Sequence, residues 1–329
     1  MSLSICMIVK NEENCLERCL YSVKEIADEI IIVDTGSTDR TPDIAGKFTE
    51  KIFMIEWPDD FSKARNFALS KAKGDWILVL DADEMLDKDS LRKIKEAVKD
   101  SSADAFILTQ CNYTSDLDAF RFTYADDPSG KKFPGYVPIP AVRLFRNSKK
   151  IFYSRKVHET VDKSIKDGGL DMKSLEDVRI HHFSEEKGNK REKQMRYFEM
   201  AREEINEDPE NAIAHYNIST GYENYLHDYE NSLKHILLAY RYGLRPDIAL
   251  IGIGGTLMNL KRYDEALDAF KEALAKGNRD PIILYFMGMI FYHKKEFAKA
   301  RELFNLFVTY NHPRKQEIMA ILDKMKSEP

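Results

Sequence analysis

Trp76-Ile77-Leu78-Val79-Leu80-Asp81-Ala82-Asp83-Glu84 is the stretch on which the reading of this chain turns. Its first five residues form an apolar strand pattern, and the strand ends in two carboxylates separated by one residue. Hard divalent cations take oxygen ligands, and Mg²⁺ commonly shares its shell between one or two carboxylates, water and substrate phosphates. Such a pair can hold a metal against a diphosphate. A D-x-D by itself is also compatible with acids that solvate a strand end or cap the following helix, so its context has to decide.

Working outward, short β-branched runs alternate with helical patterns up to about residue 110, the signature of a parallel α/β sheet. The pattern predicts strands at Leu3–Val9, Glu29–Asp34, Lys51–Ile55, Trp76–Leu80 and Ala105–Gln110. Helices are expected near Glu12–Val23, Thr41–Phe48, Phe61–Lys73 and Ser90–Asp100. In open α/β sheets the ligand crevice lies outside the carboxyl ends of the strands, so Asp34 to Asp39 and Asp81 to Glu84 should face one cleft.

From Asn112 to Phe183 the pattern loosens. Gly130, Pro134, Gly135, Pro138 and Pro140 break any long helix, which predicts loops and short strands over the cleft. Beyond Lys187 apolar positions follow a helical period, and Pro209, Pro246, Pro281 and Pro313 recur at intervals of 37, 35 and 32. A period near 34 residues indicates stacked helical hairpins.

The chain has 329 residues, and length over ~150 points to two domains. An apolar fraction of 43%, a charged fraction of 32% and a net charge of −5 describe an ordinary globular protein and argue against bulk nucleic-acid or anionic-membrane binding. The longest apolar runs fall far short of the roughly 20 residues that cross a bilayer. The start, Met1-Ser2-Leu3-Ser4-Ile5, has no basic flank and does not read as a signal peptide. Cys6, Cys15, Cys19 and Cys111 lack paired C-x-x-C spacing and read as reduced core thiols, which fits a cytoplasmic setting.

Two resemblances follow from particular residues. Met7-Ile8-Val9-Lys10-Asn11-Glu12-Glu13, Val33-Asp34-Thr35-Gly36-Ser37-Thr38-Asp39, Phe61-Ser62-Lys63-Ala64-Arg65-Asn66 and the D-x-D strand, in this order, resemble glycosyltransferase family 2, inverting enzymes with the Rossmann-like α/β GT-A fold. That likeness spans about residues 3 to 185. In the second half, Gly254, Tyr263, Ala266, Phe270 and Ala273, then Gly288, Phe291, Phe297, Ala300 and Phe304, occupy the small and aromatic packing positions of tetratricopeptide repeats. A unit around Tyr216–Tyr240 is weaker, with Ser232 where Ala is usual and one apparent inserted residue. A plain helical bundle is the alternative. The expected domains are therefore a GT-A glycosyltransferase domain at 1–187 and an all-α tetratricopeptide-like domain at 188–329.

Carried over residue by residue, the family resemblance places Asp34 near the nucleobase with Asp39 in the same loop. It places Arg65 toward the phosphates, Asp81 at the ribose and Asp83 on Mn²⁺ or Mg²⁺. The chemistry agrees, since a nucleobase offers donors that a carboxylate accepts and a diphosphate needs positive charge. For Arg65 a solvated helix salt bridge is the plainer reading, and Ser37 and Thr41 suit helix capping better than substrate contact.

Val157-His158-Glu159, after Arg143-Leu144-Phe145-Arg146, resembles an R-L-F-R…H-E arrangement in a branch of the family, where the acid serves as general base. Glu159 is the candidate, against a structural pair with Arg155 or Lys156, a leading role for His158, or a base in the loop Asp116–Asp127. In Arg179-Ile180-His181-His182-Phe183 the family often has a histidine that completes the metal shell. Alternation from Val178 and Ile180 favours His182 over His181. No G-x-x-x-x-G-K-[ST] loop, nucleophile elbow or zinc-type cluster competes.

The resemblance implies inverting, metal-dependent transfer of a sugar from a nucleoside-diphosphate sugar, UDP by preference, to an acceptor. A GT-A domain fused to such repeats resembles bacterial enzymes that glycosylate peptides, including cysteine S-glycosyltransferases of bacteriocin biosynthesis, which implies a peptide or protein acceptor, O- or S-linked. A surface-polysaccharide or lipid-linked acceptor, a non-catalytic nucleotide-sugar scaffold, and repeats that serve a homodimer are the rival readings.

Overall fold

The computed structural model describes every residue except 100–101, 116–120, 131–132, 157, 184–189, 311, 313 and 326–329. The chain divides into two compact units, a sheet unit from Met1–Ser115 and Thr123–Lys187 and a helical unit drawn mainly from Gly188–Pro329. The boundary expected between 187 and 188 lies outside the described residues, as does the expected end of the fourth helix at Asp100.

The sheet unit contains β1 (Leu3–Val9), β2 (Glu29–Asp34), β3 (Ile52–Met54), β4 (Trp76–Val79), β5 (Glu84–Leu86), β6 (Ala105–Thr114), β7 (Thr123–Tyr124), β8 (Gly135–Arg146) and β9 (Met172–His182). They form one sheet in the order β3-β2-β1-β4-β8-β6-β9-β5, with β7 beside β8. The first four strands are parallel, as their continuous apolar runs require when both faces are covered. Two apolar clusters cover them, one around Ile5, Leu20, Ile32 and Leu78, the other around Cys6, Ile31, Val79 and Phe145.

The regular alternation breaks at β6. Instead of continuing the parallel order it is separated from β4 by β8, which runs antiparallel to both. The segment expected to hold loops and short strands thus supplies a strand of 12 residues and another of 11. Prolines misdirect here. At Pro138 and Pro140 β8 pairs with β6 alone, because β4 reaches only Leu144–Arg146, and a strand with an open edge tolerates residues that have no N–H to donate.

Helices α1 (Leu16–Val23), α2 (Thr41–Ala45), α3 (Phe61–Lys71), α4 (Lys88–Ala97) and α5 (Asp162–Asp167) complete this unit. Asp60 and Asp87 start α3 and α4 by accepting the N–H of Lys63 and Ser90 at 3.1 and 2.7 Å. Both helices begin beside strand ends that carry candidate site residues. All four cysteines are buried.

The helical unit comprises α6 (Lys190–Glu207), α7 (Ala212–Gly221), α8 (Tyr229–Arg241), α9 (Pro246–Asn259), α10 (Tyr263–Ala275), α11 (Ile282–His293), α12 (Phe297–Phe307) and α13 (Lys315–Met325). The hairpins α9–α10 and α11–α12 share one packing device. A Cβ on Gly254 would lie 2.5 Å from the Phe270 ring and one on Gly288 2.5 Å from Phe304, so only glycine admits these close approaches. These are tetratricopeptide-like repeats. In the α7–α8 hairpin the apparent inserted residue materialises as a π-helical turn, Tyr222–Leu226, the form one extra residue takes in a helix. Ser232 is buried there and hydrogen-bonds Ser219 at 2.9 Å. Among the described residues no helix is long and apolar enough to cross a membrane.

Candidate active site

The apolar run of β4 ends in a tight reversal. Asp81 donates its N–H to Glu84 Oε2 at 2.7 Å, which turns the chain so that β5 pairs with β9 and sets Glu84 opposite His182. The Asp81 carboxylate lies between two guanidinium groups. Arg65 Nη2, from α3, donates to Oδ1 at 2.7 Å, and Arg143 Nη2, from β8, to Oδ2 at 3.3 Å. Burial works against the charge on Asp81, but the two arginines outweigh it and hold the carboxyl well below the usual range. Glu84 is fully buried, accepts from Gln110 Nε2 at 2.6 Å and Arg143 at 3.2 Å, and is pushed up, first by burial and then by Asp81, with Arg143 opposing.

Arg65 also reaches Glu159, whose Oε1 accepts from Nε at 2.5 Å. The carboxylate sits on a loop closed by the mutual backbone bonds of Ser154 and Thr160, with Arg155 and His158 at φ 82° and 52°. Positive φ at non-glycine residues stores strain and commonly accompanies functional loops. Val157 between them lies outside the described residues. The loop is tied to α3 as well, since Lys156 O accepts the Phe61 N–H at 3.0 Å. Arg65 is 6% exposed, and its Nη1 is buried with no partner among the described residues. The alternative base loop, Asp116–Asp127, lies partly outside them.

Asp83 is nearly buried, and its Oδ2 lies 3.4 Å from His182 Nε2. The other ring nitrogen of His182 is hydrogen-bonded to Asn112 Oδ1; that oxygen can only accept, so Nδ1 donates, and Nε2 faces Asp83, as a donor when the ring is protonated and with a lone pair when it is neutral. Fixing a histidine through its far nitrogen is the arrangement that orients metal ligands. Burial lowers the proton affinity of His182, but Asp83 above all, then Glu84 and Asp81, raise it overall. His181 uses both ring nitrogens elsewhere, on Tyr113 at 3.1 Å and Asp87 at 2.9 Å.

Among the described residues no three His, Cys, Asp or Glu side chains gather for an ion. Asp83 and His182 are one carboxylate oxygen and one imidazole nitrogen near enough to contact the same cation, and they would hold Mg²⁺ or Mn²⁺ if substrate phosphate and water supplied the remaining ligands.

At the end of β2, Asp34 Oδ1 accepts the N–H groups of Gly36 and Ser37 at 2.9 and 2.7 Å, with Gly36 at φ 101°. The turn needs that left-handed residue, which glycine takes without strain. Asp34 Oδ2 is buried and has no partner among the described residues, an acceptor suited to a nucleobase N–H. Asp39 has both oxygens engaged, Oδ1 by the Thr41 N–H and hydroxyl at 2.9 and 2.5 Å and Oδ2 by the Glu13 N–H at 3.2 Å, so it ties two loops together. Thr41 and Ser37 hold the same junction by accepting from Glu12 and Asn11.

Residues 4–162 match the family described as glycosyl transferase family 2. The match falls on the sheet unit. A tetratricopeptide repeat-containing protein of Synechococcus elongatus is 42% identical to this chain over 164 residues, 50% of this chain and 36% of that protein. The prophage-derived glycosyltransferase SunS of Bacillus subtilis is 28% identical over 209 residues, 62% of this chain and 45% of that one. The chain thus spans less than half the length of these curated relatives. Among solved structures, residues 1–349 of S. aureus TarS are similar over 84% of this chain and 92% of that one, at 16% identity and a TM-score of 0.45.

Sequence reasoning gave no role to Glu84, Gln110, Asn112 or Arg143. Arg143 stood in a quoted motif. The signal for Asn112 and Gln110 is their strand register: β6 runs beside β9 so that Asn112 faces His182 and Gln110 faces Ile180.

Proposed function

We propose that the chain transfers a sugar from a nucleoside-diphosphate sugar, most simply a UDP-sugar, to a nucleophilic acceptor with inversion at the anomeric carbon. The observation that carries this reading is the convergence, at the ends of β4 and β9, of an Asp83–His182 pair and an Asp81–Arg65–Glu159 chain within a family 2 glycosyltransferase domain. Asp34 would receive the base through its open oxygen, and Asp81 would receive the ribose. A divalent cation held by Asp83 and His182 would supply the positive charge that a departing diphosphate needs.

Glu159 would take the proton of an acceptor hydroxyl or thiol as its oxygen or sulfur bonds to the anomeric carbon and the carbon–phosphate oxygen bond breaks. The proton ends on Glu159 and the electron pair on the diphosphate. A peptide or protein is the acceptor best matched to the helical unit, because stacked hairpins present extended concave surfaces that a small acceptor does not need. Few, buried cysteines without C-x-x-C spacing suit a reducing compartment, so we place the reaction in the cytoplasm.

The test is incubation of the full chain with UDP- and GDP-sugars and Mn²⁺ or Mg²⁺, scored for nucleotide release. Metal-dependent release from one nucleotide series is expected. Binding without release would leave the non-catalytic nucleotide-sugar scaffold, and absence of both across the series would remove the reading.

A further inference from the structure

Arg65 is contested. Three of its nitrogens face different fates: Nη2 is held by Asp81, Nε by Glu159, and Nη1 is buried without an acceptor. Its guanidinium also lies 5.5 Å from the Tyr153 ring centre, which shields it from water. The Glu159 oxygen that accepts from the buried guanidinium is committed to that charge-assisted bond for as long as Arg65 stays in place. The base of the reaction proposed above therefore starts in a restrained form.

The two carboxylates are not equal rivals. If Arg65 moves, Asp81 keeps Arg143, whereas Glu159 has no second cation in an ion pair among the described residues. An anion that draws Arg65 through its open Nη1 will loosen Glu159 first. Glu159 also stands on the loop that carries Arg155 and His158 at positive φ, where backbone strain is stored. We infer that Arg65 is a positioning residue for which the donor diphosphate and Glu159 compete, so that donor binding draws the guanidinium away and releases Glu159 to act as base. Acceptor activation then follows donor binding, and the free enzyme keeps its base masked.

This rests on the glycosyltransferase reading, and the experiment separates the two. UDP and uridine affinities are measured by calorimetry at fixed Mn²⁺ for the full-length wild type, Glu159→Gln, Arg65→Gln and the double variant, with Glu159→Ala and Arg65→Lys as second choices if a variant fails to fold. Removing the competitor should tighten UDP binding by about 3- to 10-fold, the scale of coupling within one ion-pair network. Uridine affinity should stay unchanged, and the gain should vanish in the Arg65→Gln background. A gain in affinity is not what structural damage produces. Unchanged or weaker UDP binding by Glu159→Gln, an equal gain for uridine, or a gain that survives without Arg65 would each overturn the competition. Failure of the wild type to bind either UDP or GDP would instead remove the reading beneath it.

Discussion

The two units handle their interiors in opposite ways. The sheet unit joins buried Arg65 and Glu84 with part-buried Asp81, Arg143 and Glu159 in one connected set of ion pairs and hydrogen bonds, with buried Asp83 paired to His182. The repeats α9–α12 are closed by glycine meeting phenylalanine. Buried charge is a weak source of stability, because desolvation offsets most of the attraction, whereas ring-on-backbone packing stabilises directly. The difference teaches where function resides: the charges are retained for a ligand, and the apolar joints for rigidity.

The largest effect expected is from Asp83→Ala, which should reduce transfer at least roughly 10³-fold by removing the charge on which a divalent cation depends. Asp83→Asn should do nearly as much, and full turnover in excess chelator would dissolve the contrast from the sheet side. Next comes Glu159→Gln. It is near-isosteric and should cut transfer by roughly 10²–10⁴ without loss of donor affinity, the range of a removed general base. A parallel loss of transfer and affinity, measured by initial rates and calorimetry, would make Glu159 part of the donor site.

From the helical side, Phe304→Ala removes a fully buried ring packed on Gly288 and should destabilise by about 3–5 kcal/mol. Denaturant unfolding measures this, and UDP affinity in buffer should not move. A change in nucleotide binding would show that the joints do more than stiffen the array. The smallest effect concerns Glu29 at the start of β2. Burial alone would raise its pKa, but Lys51, Ser4 and the N–H groups of Lys73 and Gly74 lower it to about 2. A carboxylate depressed in the folded state contributes stability above its unfolded pKa, near 4.5, and loses it as pH falls toward about 2. Glu29→Gln should flatten the stability–pH curve within that acid window and nowhere above it.

Most of the donor half was legible, for a physical reason. β1 and β2 match their expected spans residue for residue, because continuous branched apolar runs bounded by polar loops admit few alternatives. Strand β8 and the start of β9 were not legible, since prolines on an open edge and a run rich in charge hide a period-two pattern, whereas the alternation from Val178 to His182 at the end of β9 was legible. Site residues followed the same division. Asp81, Asp83 and Arg65 lie on elements with strong local signals, and the structure brings Glu159 and His182 to them from the irregular segment. Arg143 and Asn112 matter only through strand neighbours distant in sequence, which no local pattern contains. In the repeats, spacing alone exposed the extra residue, although its π-helical form required tertiary context.

The wedged position of β8 bears on how the molecule comes into being. β1, β2, β3 and β4 can pair as soon as the first 79 residues are available, whereas β6 has no place beside them until β8 arrives. A nascent chain emerges from its N-terminus, and non-local pairing is slow because loop closure precedes any reward. Asp81 and Asp83 are thus exposed to solvent chemistry before Arg143 and His182 have been synthesised. A chain interrupted between β4 and β8 would display its acidic strand end with Arg65 at hand but without Arg143 or His182.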